Sequence, residues 1–168
     1  MSDLIPTFTR SLDRLDVAWI RIRPDAFQGE LERLVEPPVI GCPFPFSTVR
    51  LPDSYRTDEL TPRALEKAQT GVSGALLGIA SHGSIVLPHG ESLDEPVSLF
   101  GNRHVAVVRA SDVVADLETA FERLGPRIVD QRRGAVLATG PSATADMGAL
   151  VKGAHGPRSL HVIIVDEP

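Results

Sequence analysis

Residues 134–166, GAVLATGPSATADMGALVKGAHGPRSLHVIIVD, read as strand, tight polar loop, short helical turn, second glycine-rich loop and strand. The apolar run Ala135–Ala138 stops at Thr139-Gly140-Pro141, where neither a helix nor a strand continues easily. Ser142, Thr144 and Asp146 then put three oxygen-bearing side chains within five residues, all good acceptors for backbone N–H groups at a helix start. The second loop, Gly153-Ala154-His155-Gly156-Pro157, precedes Leu160–Val165, a run too short and too β-branched to prefer a helix. Two loops of special backbone beside buried strands are where α/β proteins usually keep ligand sites.

Working outward, a chain of 168 residues fits a single domain. Its 42% apolar and 23% charged content is that of an ordinary globular protein. A net charge of −5 argues against nucleic acid as a partner, since phosphate backbones call for a dense basic face. Arg123, Arg127, Arg132 and Arg133 cluster without interleaved aromatics and read as a solvated helix end. The single cysteine, Cys42, excludes an internal disulfide and cannot alone hold a thiolate zinc site or an iron–sulfur cluster. It reads as a small buried hydrophobe. No run approaches the roughly 18 apolar residues of a membrane span, and the amino terminus has no basic-then-apolar signal pattern. A cytoplasmic location is the expectation.

Upstream, Phe8, Leu12 and Leu15 suggest a first helix, and Val17–Ile22 a strand. Asp25 is placed to cap a helix carrying Phe27, Leu31, Leu34 and Val35, which Pro37-Pro38 ends. Residues 43–60 read as a long connection with a strand candidate at Ser47–Leu51. Thr61-Pro62 marks a helix start, with Gly71 as the stop. Gly74–Ala80 and Ser84–Leu87 are apolar runs joined by Ser81-His82-Gly83, small residues that suit a close backbone approach. Val97–Phe100 and His104–Val108 read as strands. Ser111 reads as the cap of a helix striped by Val113, Val114, Leu117, Ala120, Phe121 and Leu124, stopped at Gly125-Pro126. Strands alternating with helices imply one α/β domain with a mostly parallel sheet and helices on both faces.

No dinucleotide, Walker A, nucleophile-elbow or C-x-x-C motif is present. The histidines at 82, 89, 104, 155 and 161 have no metal-ligand spacing, so no metal site is expected, and His161 reads as a half-buried strand residue. The Gly140–Asp146 loop has two readings. If Ser142 opens a helical turn, its free N–H groups and the two hydroxyls make a small-anion site, with Lys152 and Arg158 adding positive charge. Equally, Ser142, Thr144 and Asp146 simply cap the turn and tie the loop down.

The segments Gly140-Pro141-Ser142-Ala143-Thr144-Ala145-Asp146, Gly153-Ala154-His155-Gly156-Pro157 and Leu160-His161-Val162 closely resemble the carboxy-terminal signature of LUD domains. More narrowly, they resemble the lactate-utilisation protein C (LutC) family. The likeness extends more loosely through Ile79–Leu87 and Val105–Ser111. Residues 61–168 match well, whereas residues 1–60 match only in the order of elements.

The resemblance implies a Rossmann-like three-layer sandwich similar to ribose-5-phosphate isomerase, glucosamine-6-phosphate deaminase (NagB/RpiA) and CoA transferases. It implies a role beside two iron–sulfur partner subunits (LutA- and LutB-like) in oxidising L-lactate to pyruvate, with the clusters on the partners and no cofactor in this chain. Relatives commonly read Ala-Glu-Thr-Gly-Thr where this chain has Ala80-Ser81-His82-Gly83-Ser84, so chemistry needing that glutamate is not expected here. The reading that follows is a non-cluster subunit or accessory of a lactate-oxidising complex, binding a small anionic metabolite. The candidate ligand-binding residues are Gly140, Ser142, Thr144, Asp146, Gly153 and Gly156, with Ser81, Gly83 and Ser84. His155 is the candidate catalytic acid–base group. A stand-alone enzyme acting on CoA or sugar-phosphate metabolites, and a purely structural docking subunit, are the alternatives.

Overall fold

The computed structural model describes residues 4–55, 61–90, 93–131, 133–145 and 148–167. In chain order its first elements are α1 (Ile5–Arg14), β1 (Ala18–Ile22), α2 (Phe27–Leu34), β2 (Val39–Gly41), α3 (Pro62–Lys67), β3 (Thr70–Gly74), β4 (Leu77–Ile79) and β5 (Ser84–His89). Then follow α4 (Asp94–Leu99), β6 (Arg103–Arg109), β7 (Val113–Val114), α5 (Leu117–Gln131), β8 (Gly134–Thr139), β9 (Ala143–Thr144), β10 (Val151–Lys152) and β11 (Ser159–Val165).

Five strands form an all-parallel sheet in the order β1-β11-β6-β3-β2. Its central strands are apolar on both faces because both are covered. On one face Val72, Val105, Val107 and Ile163 pack with Phe27 and Leu31 of α2. On the other, Ala106, Val108, Val162 and Ile164 pack with Phe8 and Leu12 of α1. The expected α/β class, with a mostly parallel central sheet and flanking helices, is what the chain adopts.

A second sheet, β7-β4-β5-β8, lies on the α1 side and is mixed in direction. α1 sits between the two sheets. A Cβ on Gly78 of β4 would lie 2.9 Å from the Phe8 ring. The outer face of the second sheet is covered by α5 through Ala120 and Leu124.

Several local expectations change. Val97–Phe100 is not a strand: Val97–Leu99 complete α4, whose first turn carries Asp94 and Glu95 and suits the helix dipole. Val97 is fully buried, and its carbonyl would lie 1.9 Å from any Cβ on Gly71, so the glycine lets α4 seat on β3. Val113-Val114 pair with Gly78-Ile79 instead of opening a helix, which begins at Leu117 with Asp116 accepting from the Thr119 N–H at 2.9 Å. That helix runs through exposed Pro126, where water can meet the backbone group that proline leaves unpaired. Ser47–Leu51 is a bent connection whose Val49 plugs the α2-side core. Asp25 lies in a 3-10 turn and pairs with Arg23 in place of capping α2. The Thr61 cap forms as read, accepting from Ala64 N–H at 3.2 Å.

Candidate functional site

The two glycine-rich loops meet. β8 ends at Thr139, and Gly140 turns the chain with a φ of +76° that a side chain would resist. The Ser142 N–H donates to the Pro157 carbonyl at 2.9 Å, and the Gly153 N–H donates to the Ser142 carbonyl at 2.9 Å. Between these stitches Ala143-Thr144 pair with Val151-Lys152 as a two-stranded antiparallel ribbon. The helical turn expected at Ser142 is therefore absent, because strand pairing takes Ala143 and Thr144. The Ser142 amide, committed to Pro157, is not a free donor.

Where the loops close, a cavity of about 250 Å³ opens between β8 and the amino ends of β6 and β11. This is the edge opposite the carboxyl ends at which open α/β sheets usually bind ligands. Its wall is largely apolar, with Val136, Leu160 and Pro157 among its surfaces. Four polar side chains interrupt it: Ser98, His104, Ser142 and His155. The Ser98 hydroxyl is spent on the Glu95 carbonyl at 2.7 Å. The ring of His104 lies 2.8 Å from the Ser73 hydroxyl through Nε2, and burial draws its pKa down to about 4, so it is neutral. The Ser142 hydroxyl, the His155 imidazole and Nδ1 of His104 have no hydrogen-bond partner among the described residues.

The sequence candidates divide. Gly140, Ser142, His155 and Gly156 line this cavity. Gly153 faces an adjoining open cleft with His155, Gly156 and Asn102. Thr144 sits half-buried in the ribbon. Asp146 lies outside the described residues. Lys152 is paired with Asp16 at 2.6 Å.

Ser81, Gly83 and Ser84 line neither space. They form the β4–β5 hairpin, where exposed Ser81 bonds its neighbour His82 at 2.7 Å and buried Ser84 meets the Thr139 hydroxyl at 2.8 Å. Their visible work is to brace the strand entering Gly140. Leu15 lies under both turns, within 3.0 Å of a Cβ on Gly83 and 3.6 Å of one on Gly140.

Sequence reasoning missed His104, Ser73 and Ser98 as neighbours of the site. Nothing in the run His104–Val108 marks its first residue as cavity-facing; only the placement of β8 does so. A second cavity of about 340 Å³ is walled by residues 43–53 and contains none of the candidates. Among the described residues no group of three or more His, Cys, Asp or Glu side chains could hold a metal ion. No helix of the described residues is long and apolar enough to cross a membrane.

Residues 53–165 match the sequence model of the LUD domain. Three curated proteins named lactate utilization protein C are similar. That of Deinococcus radiodurans is 30% identical over 82% of this chain, that of Macrococcus caseolyticus 31% over 61%, and that of Bacillus licheniformis 32% over 68%. The chain spans 64%, 46% and 49% of those proteins' lengths, respectively. In structure it resembles a crystal structure of a DUF162 family protein from Deinococcus radiodurans, with a TM-score of 0.74, 21% identity and coverage of 98% and 97% of the two chains. A family match that takes in both signature loops, together with these relatives, identifies the chain as a member of the LUD domain family.

Proposed function

We propose that this chain acts in lactate utilisation, as the names of its relatives suggest, and that it binds a small anionic metabolite in the cavity between its two signature loops. The observation that carries the ligand reading is the convergence of unengaged polar groups. The Ser142 hydroxyl and the His155 imidazole line one largely apolar cavity of a size for a small metabolite. Hydroxyl and imidazole N–H donors recognise an anion through hydrogen bonds. The chain works as the non-cluster component beside iron–sulfur subunits. Ser81, standing where relatives have glutamate, removes the carboxylate that an independent acyl-transfer enzyme would need.

Calorimetric titration with lactate, pyruvate, CoA and sugar phosphates tests the ligand reading. One of these binds the native chain and binds Ser142→Ala at least several-fold more weakly. Absence of heat with every compound, in both proteins, would sink it.

Docking is favoured by a separate observation. Leu99 and Leu137 on the cavity rim are 44% and 39% exposed, and Phe100 in the adjoining cleft is 50% exposed. Exposed apolar residues around a site suit a partner surface. Co-purification with the iron–sulfur subunits, lost on Phe100→Glu, tests that part; unchanged co-purification speaks against it.

A further inference from the structure

Two buried side chains decide what the inner wall of the cavity asks of a ligand. Nε2 of His104 and Oγ of Ser73 lie 2.8 Å apart, and the residues are 2% and 0% exposed. Ser73 has no other side-chain hydrogen bond among the described residues. If Nε2 carried the ring proton, the Ser73 oxygen would accept it, and the serine's own proton would be buried without an acceptor. That is the costly arrangement. With the serine donating to Nε2 instead, the Ser73–Nε2 pair is satisfied and the one donor left over is the Nδ1–H of His104, which lines the cavity as Ser73 does not. Burial keeps the ring uncharged, since its pKa is drawn down to about 4. Nδ1 is also the ring nitrogen left without a partner among the described residues.

We propose that His104 is the inner recognition residue of the cavity, its Nδ1–H donating to a carbonyl or carboxylate oxygen of a small organic ligand, with Ser73 as the positioning residue that fixes the tautomer. This rests on the reading of the cavity as a ligand site. The hydrocarbon part of the ligand lies on Val136, Leu160 and Pro157. An ammonium or other donor at the inner end is rejected, because a protonated Nδ1 offers it no lone pair.

Imidazole and backbone-amide nitrogen–proton correlation spectra of the full chain, uniformly labelled with ¹⁵N, test the proposal, with pyruvate as the acceptor-ended probe and ethylamine as the donor-ended one. His104 is expected as the Nδ1–H tautomer, and Ser73→Ala raises the Nε2–H share. Pyruvate shifts the His104 ring nitrogens together with the backbone amides of Ser142 and Gly156, and ethylamine shifts none of them. His104→Phe weakens pyruvate binding about tenfold. The spectra of the unmutated chain decide the matter even where that variant folds poorly. A predominant Nε2–H tautomer overturns the proposal, as does a pyruvate titration that leaves the His104 ring unmoved. In that titration the Ser142 and Gly156 amides separate the two levels. If they shift alone, the cavity binds without His104; if they too stay still, the ligand-site reading falls with it.

Discussion

The hydroxyls of Ser84 and Thr139 meet at 2.8 Å across the β5–β8 ladder, joining the β4–β5 hairpin to the strand that delivers Gly140. Ser84 is buried, whereas Thr139 is exposed and can turn to water. Ser84→Ala is therefore expected to cost about 1 kcal/mol or less, with ligand affinity unchanged. Urea unfolding and a parallel binding titration separate the two roles. A tenfold loss of affinity at an unchanged urea midpoint would return Ser84 to the ligand site.

Gly83 and Gly156 both tolerate little, for different reasons. Gly83 has a φ of +67°, and an added Cβ would stand 2.9 Å from the backbone of Ser11 and 3.0 Å from Leu15. Neither neighbour can easily withdraw, so Gly83→Ala is expected to lower stability by about 1–3 kcal/mol. Thermal or urea denaturation reads this directly, and a loss below 0.5 kcal/mol would mean that α1 shifts to make room.

At Gly156 the new methyl would lie 3.1 Å from Ser142 Cβ and 3.4 Å from its hydroxyl, inside the cavity mouth. Its backbone is not in the left-handed region, so strain is small. Gly156→Ala is expected to unfold within about 1 kcal/mol of the native chain while weakening ligand binding several-fold. Equal binding by the two proteins would show that the ligand does not pass between the loops.

What could be read from the chain beforehand follows from how local each signal is. Leu160–Val165 announced a buried parallel strand because its apolar run is continuous, and Thr61-Pro62 announced a cap because hydroxyl and proline act within one turn. The Val113-Val114 pair misled because two β-branched residues fit a helical stripe equally well. Only contact with Gly78-Ile79, over thirty residues away, makes them a strand. The same holds at the site. Gly140, Ser142, His155 and Gly156 were legible as special loop residues, but their meeting depends on long-range pairing through Pro157 and Gly153. His104 was legible only as a histidine in an apolar run, because what makes it part of the cavity is the position of β8.

Cys42 is 2% exposed, and its thiol lies 3.0 Å from Asp94 Oδ1. Burial first, then the neighbouring carboxylate, pushes the thiol well above its ordinary range. Its thiolate fraction at neutral pH is negligible, so iodoacetamide is expected to leave the native chain unmodified and to label it fully in denaturant. Intact mass measured over time checks this. Rapid labelling without denaturant would mean that α4 opens.

His104 also sets a pH dependence whose sign can be worked out. Its pKa falls from 6.5 in the unfolded chain to about 4 in the fold, because burial disfavours the imidazolium. Above pH 6.5 both states hold the ring neutral and the fold keeps its full stability. Between 6.5 and about 4 the unfolded chain binds a proton that the fold refuses, so stability falls with pH, by about 3 kcal/mol over that window. His161 is shifted downward too, by burial and then by Arg103, and adds to the fall in the same direction. Asp16, held low by its hydrogen bond from Lys152, and Asp116, held low by the Thr119 N–H, lose their contributions only below the ordinary aspartate range near 3.8. The windows are therefore distinct. Urea midpoints measured from pH 8 to 4.5 should decline for the native chain and decline much less for His104→Gln, which has no ring to protonate. Parallel slopes for the two proteins would mean that His104 takes up its proton in the fold, and that its cavity is wetter than its burial implies.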